Sequence, residues 1–123
     1  MNETASLVDR ADVASHLLTA MANAHRLAIL SLVSEAEMSV GALAQRIGLS
    51  QSALSQHLTK LRALKLVSHR RDAQTIYYSC RSEKVHKILA TLESLFGDAP
   101  AKPVAVKSAA AKPRRGPRAK PAQ

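Results

Sequence analysis

Gln51, Ser52, Ser55, Gln56, Thr59 and Lys60 fall within ten consecutive residues, spaced to share one side of a helix whose other side is Leu54, Leu58 and Leu61. Amides and hydroxyls can both donate and accept, which makes them good tools for reading hydrogen-bond patterns. A carboxamide offers a donor and an acceptor together, which is what adenine presents through N6 and N7 in the major groove, and a hydroxyl can donate or accept. A face that was merely solvated would carry more Glu and Lys. Lys60, Arg62 and Lys65 follow on the same segment, and cations of this kind suit phosphates, contacts that position a protein on a duplex without specifying sequence. Ser50 and Ser52 equally suit the capping of a helix start.

The surrounding charge points the same way. Between Glu37 and Asp72 there is no Asp or Glu, while Arg46, Lys60, Arg62, Lys65, Arg70 and Arg71 all lie there. A surface meant to meet a phosphate-lined groove must avoid carboxylates, because each would be repelled where each cation releases condensed counterions. The expected partner is double-stranded DNA, contacted by Gln51, Ser52, Ser55, Gln56, Thr59, Lys60 and Arg62 and by Arg70 and Arg71.

Other chemistry has little material. There is no Gly-rich phosphate loop and no His, Cys and Asp grouping that could form a nucleophile and its base, so no catalytic residue is expected. The five histidines are scattered; His57 is placed to pack or to touch phosphate, and His69 to reach the backbone from the wing. Cys80 is the single cysteine; an internal disulfide is excluded, and a small half-buried residue is the expectation. Neither a cofactor nor a metal is expected.

These residues need elements to hold them. Leu7, Ala11, Ala14, Leu17, Leu18 and Met21 recur at helical spacing, with Ser6 and Asp9 as a capping pair. A second helix is expected over Ala24 to Ser34, with Leu27, Leu30 and Val33 or Ile29 inward. Ser39 caps a third carrying Val40, Leu43, Ala44 and Ile47, which Gly48 stops. Ser50 opens the fourth, with its stripe Leu54, Leu58, Leu61 and then Leu64. Two extended runs, Leu66 to Arg71 and Thr75 to Ser79, flank the turn Asp72-Ala73-Gln74. Ser82 caps a last helix with Val85, Ile88, Leu89, Leu92, Leu95 and Phe96 inward, ending at Gly97. The fold class is mainly α with a small β-hairpin: four helices, a two-stranded wing and a C-terminal helix, the winged helix-turn-helix plan.

The chain has 123 residues and a net charge of +9, but residues 98–123 carry seven Lys/Arg against one Asp and hold all five prolines. The division expected is a DNA-binding and dimerisation domain over 1–97 and a disordered basic tail over 98–123. Aromatics are scarce, with only Tyr77, Tyr78 and Phe96, so pairing of subunits is a natural way to add buried area. No apolar run approaches the roughly 18 residues a bilayer demands, and the N-terminus lacks a signal-peptide core. A cytoplasmic protein with no membrane partner is expected.

Three stretches together, Ala22 to Leu30, Gly48 to Arg62 and Arg70 to Ser79, resemble the ArsR family of bacterial repressors, over about residues 12–97. The resemblance implies a homodimer on pseudo-palindromic promoter DNA that represses transcription. It also implies a dimer interface on the outer helices, placed at Leu17, Leu18, Met21, Leu89, Leu92, Leu95 and Phe96. Sensing sites of relatives are not matched. The thiolate motif falls on Glu37-Met38-Ser39-Val40-Gly41, the sulfide-sensing cysteines on Ser31 and Gly97, and the last-helix metal site retains only His86 with Glu83 and Glu93. The alternative is an architectural DNA-binding protein acting through its Lys-Pro-Ala tail, whose composition is similar to that of linker-histone tails. A winged helix used for protein contacts is disfavoured by the Gln/Ser face.

Overall fold

The computed structural model describes residues 6–97, and the basic tail lies outside them. A 3₁₀ turn, Val8–Arg10, leads into α1 (Ala11–Met21), α2 (Ala24–Glu35), β1 (Met38–Ser39), α3 (Val40–Ile47) and α4 (Gln51–Ala63). Then come β2 (Ser68–Asp72), β3 (Thr75–Ser79) and α5 (Glu83–Phe96).

Helix starts follow local chemistry. Ser39, Ser50 and Ser82 each accept a hydrogen bond from the backbone N–H three residues on, at 3.1, 3.1 and 3.3 Å, satisfying a donor that the helix leaves orphaned. Asn23 does the same for α2, accepting from Arg26 N–H at 3.1 Å. Ser6 and Asp9 exchange backbone-to-side-chain bonds as a reciprocal box, but the residues after it form the 3₁₀ turn before α1 begins. Gly48 ends α3 at φ 84°, a left-handed conformation in which a Cβ is strained. Its N–H and that of Leu49 both donate to the Ala44 carbonyl. That sharp stop sets α4 across α3.

One core cluster joins the elements. Ile29, Leu30 and Val33 of α2, Leu43, Ala44 and Ile47 of α3, and Leu54, Leu58 and Leu61 of α4 are buried together with Tyr78, Cys80 and Val85. The expected stripe of α4 holds for three of its four leucines. Leu64 is 48% exposed, because the helix has ended at Ala63 and Lys65 turns to φ 62°. Leu27 is only partly buried, and Ile29 takes the inward position instead.

The sheet departs from expectation in strand number. Its order is β1-β3-β2, three antiparallel strands rather than two. Met38 pairs with Tyr78 and Ser39 with Tyr77, while β2 and β3 pair from Ser68↔Ser79 to Asp72↔Thr75. The hairpin turn is therefore the two residues Ala73 and Gln74, and Ala73 adopts φ 60°. Leu66 and Val67 are buried before β2 instead of within it, and Cys80 is buried just beyond β3.

The outer helices carry the larger corrections. In α5 only Val85 is fully buried; Ile88, Leu89 and Leu92 are half-buried, and Leu95 and Phe96, expected inward, are 67% and 66% exposed. In α1, Leu17 is half-buried and Leu18 is 53% exposed. Met21, expected at a subunit interface, is 2% exposed and belongs to the core of the single chain.

Leu54→Ala is expected to cost about 2–5 kcal/mol of unfolding free energy, since it opens a cavity at a closed site. Leu64→Ala is expected to stay within about 0.5 kcal/mol. Urea denaturation of the two variants checks the assignment, and equal losses would contradict it.

Candidate nucleic-acid interface

The burial of Leu54, Leu58 and Leu61 dictates what α4 shows to solvent. Gln51, Ser52, Ser55, Gln56, Thr59, Lys60 and Arg62 are all exposed. Within that face the side chains divide into two flanks by their i, i+3 and i+4 relations. Gln51, Ser55, Thr59 and Arg62 line a cleft of about 610 Å³ whose far wall is Gln74, Thr75, Ile76 and Tyr78 of the wing. Ser55, Gln56, Thr59 and Lys60 border a shallower hollow on the outer side.

The cleft has a third wall that the sequence reading missed. Ser39 and Gly41, at the start of α3, also line it. Ser39 is at once the last residue of β1 and the cap of α3, so the sheet and the helix pair begin from a single residue. Arg62 ties the other end, its Nη1 donating to the Tyr78 hydroxyl at 3.4 Å. The signal that could have found this wall was the Met38-Ser39 step itself, but two extended residues carry no periodicity.

Arg70 and Arg71, expected to act as a pair, are separated by the pleat. Successive strand residues point to opposite faces. Arg71 is opposite Ile76, on the face that Met38, Ile76 and Tyr78 turn toward the core. Arg70 is opposite Tyr77 and lies on the outer face. There its guanidinium sits 4.7 Å from the Tyr77 ring centroid and reaches across β3 to Glu37. Nε donates to Oε2 at 2.9 Å and Nη2 to Oε1 at 2.8 Å, a two-pronged carboxylate bond. Asp72 Oδ2 is 3.9 Å from Nη1. The Arg70 hydrogen bonds hold the Glu37 carboxyl below its ordinary range against the opposing effect of burial, and the charges of Arg70 and Arg81 add to the lowering. Arg70 is therefore engaged within the protein, whereas no such carboxylate partner is found for Lys60, Arg62 or Arg71 among the described residues.

The histidines are placed differently from one another. His69 stacks on Tyr78, ring centroids 5.6 Å apart. His86 Nε2 is 2.9 Å from the Cys80 carbonyl. His57 lies half-buried against His25 of α2, with centroids 5.7 Å apart. Burial lowers the His57 pKa first, and the positive charges of Arg26, His25 and Lys60 lower it further. Among the described residues no three His, Cys, Asp or Glu side chains converge as a metal-binding group would, and no single helix is long and apolar enough to cross a membrane.

A capped, rigidly seated helix with a polar outer face, flanked by a three-stranded wing, defines a winged helix-turn-helix protein. Residues 23–69 match the family described as bacterial regulatory protein, arsR family. The chain is 61% identical over 88 residues to nodulation protein NolR of Rhizobium meliloti, covering 72% of each. It is 49% identical over 80 residues to transcriptional activator HlyU of Vibrio cholerae, covering 65% of this chain and 74% of HlyU. The crystal structure of NolR from Sinorhizobium fredii superposes with a TM-score of 0.70 at 55% identity, over 80% of this chain and all of that one. The homodimeric winged helix-turn-helix domain Mb0332 of Mycobacterium bovis superposes with a TM-score of 0.64 at 26% identity, over 80% of this chain and 92% of that one. The chain belongs to the arsR family and is a DNA-binding transcriptional regulator.

The separation of the two wing arginines is testable by salt dependence. Arg71→Gln is expected to weaken binding to all duplexes and to lower the slope of log affinity against log salt by about 0.9. The charge-neutral pair Glu37→Gln with Arg70→Gln is expected to leave that slope unchanged. A slope that fell with the pair and held with Arg71→Gln would reverse the assignment.

Proposed function

We propose that the chain is a homodimeric repressor that seats α4 in the major groove of pseudo-palindromic promoter DNA and lacks a metal-sensing site. The observation that carries this reading is the exposed amide-and-hydroxyl face of α4, held in place by three leucines beneath it. Gln56 and Ser55 discriminate bases in this reading, Gln51, Ser52 and Thr59 supply further groove contacts, and Lys60, Arg62 and Arg71 contact phosphates. Arg70 is not among the contacts. The protein acts in the cytoplasm, where occupation of a promoter keeps the polymerase from it.

Dimerisation is supported by apolar surface that the single chain leaves open at Leu18, Leu95 and Phe96, with half-buried Leu17, Leu89 and Leu92 beside it in sequence. An isologous pairing of α1 and α5 buries that surface from both subunits at once. It also sets two α4 helices on half-sites about 34–36 Å apart, one turn of duplex, or a multiple of that. The homodimeric state of Mb0332 supports this arrangement.

The absence of metal control is argued from the residues at the relatives' sites. Zinc needs about four N, S or O ligands. The Ser39 hydroxyl is occupied in capping α3, Gly41 and Gly97 have no side chain, Ser31 has no thiol, and His86 is not joined by two further His, Cys, Asp or Glu side chains among the described residues.

Selection of bound fragments from a randomised duplex pool is expected to return a two-fold symmetric site; recovery without sequence preference would favour the architectural reading instead. Gln56→Ala is expected to cost about 1–3 kcal/mol per half-site and to relax preference at one base pair. An unchanged ranking of operator variants would move sequence reading away from α4. Operator affinity measured with stoichiometric zinc and with chelator is expected to agree. A reproducible tenfold loss with zinc would show a metal site that these residues do not foretell.

A further inference from the structure

The corner between the start of α2 and the outer flank of α4 has no role in the scheme above. His25 and Arg26 begin α2, and His57 and Lys60 project from α4 on the side away from the wing cleft. The two imidazoles come within 5.7 Å, centroid to centroid, and are tilted by 52°. Both are half-exposed and so can meet a ligand, and Lys60 is fully on the surface.

This corner is charged with one sign. The groups that act on His57 are Arg26 and His25 from α2 and Lys60 from its own helix, and no carboxylate is among them. The first turn of α2 carries no acid either. Arg26 Nε is buried without an acceptor. A corner that gathers cations with no carboxylate among them suits an anion arriving from outside. The hollow on this flank is bordered by Gln56 and Lys60, which puts the corner beside the proposed base-reading residue.

We propose that His25 and His57, with Arg26 and Lys60, form a clamp for one phosphodiester of the DNA backbone on the flank of α4 opposite the wing, and that duplex affinity is thereby linked to proton uptake. Two imidazole N–H groups at this separation can donate to neighbouring oxygens of one phosphate. The wing and the clamp then hold the two sides of the groove that α4 enters. The proposal rests on the reading of α4 as the groove helix.

The direction of the linkage follows from the charges. In the free protein the cations and burial favour neutral imidazole at His57. A phosphate brings negative charge beside His57 and raises its pKa in the complex. Binding therefore takes up a proton, and the added affinity is present at low pH and lost as pH rises through the His57 pKa of the complex.

The test uses the full chain and a fluorescein-labelled duplex of random sequence, since a phosphate clamp is indifferent to bases. At constant ionic strength the affinity at pH 6 is expected to exceed that at pH 8 by about tenfold, the ratio that one unit of pKa shift carries. The variant His25→Gln with His57→Gln is expected to lose most of that ratio. Titration calorimetry of the unaltered protein in buffers of different ionisation enthalpy is expected to show net proton uptake, and it needs no variant to fold. Absent proton uptake, or a pH ratio that survives in the double variant, would overturn the clamp. A duplex that fails to bind at either pH would instead defeat the parent reading of α4.

Discussion

Everything this protein presents to DNA depends on the seating of three leucines. Leu54, Leu58 and Leu61 are the only fully buried residues of α4, and the rest of the helix is polar or small. A helix this short is marginal by itself in water, so its orientation comes from packing those leucines into the cluster that includes Ile29, Leu30 and Leu43. Burying each leucine contributes about 1.5–3 kcal/mol relative to exposure. Ser50 fixes where the helix begins, and the left-handed turn at Gly48 fixes the angle at which it departs from α3. With end, angle and rotation all set, the outward face has one composition and no freedom to choose another.

The wing is joined to that assembly at more points than a free hairpin would be. Through β1 it shares Ser39 with the start of α3. The Cys80 N–H donates to the Val33 carbonyl at 3.0 Å, fastening the strand's exit to the core helix α2. Arg62 reaches Tyr78 from α4, and Tyr78 is itself in the core. A two-stranded ribbon is marginal in water, and a third strand with a packed face makes it stable. The cleft between wing and α4 thus has fixed walls.

What could be seen in the sequence was what depends on near neighbours along the chain. The serine caps at 39, 50 and 82 act over three residues, and the α4 stripe repeats over three and four, so both were legible, as was the outward rotation of Gln56. What failed depends on distance in sequence. β1 is two residues whose only reason to be extended is Tyr77 and Tyr78, nearly forty positions on. Arg70 reads as a free wing cation until Glu37, 33 residues earlier, is found across the sheet. Leu95 and Phe96 satisfy the helical period, yet among the described residues no element of the same chain covers the end of α5. Met21 satisfies the same period in α1 and is covered. Periodicity names a face and cannot say which body buries it.

The charge pattern shows how a nonlocal contact can complete a local signal. Glu37 and Asp72 bound the acid-free stretch in sequence, and in the fold both approach the Arg70 guanidinium. The two carboxylates that flank the reading unit are thereby held on the outer face of the sheet and shared with one arginine, away from the cleft walls at Ile76 and Tyr78. The Glu37 charge is compensated by the Arg70 guanidinium that it holds, and salt screens exposed Asp72 beyond about 10 Å. Among the described residues Lys60, Arg62 and Arg71 are then left without a carboxylate partner of this kind. The pairing of Arg70 with Glu37 keeps that carboxylate on the outer face of the sheet, and the same bonds engage the Arg70 guanidinium within the protein.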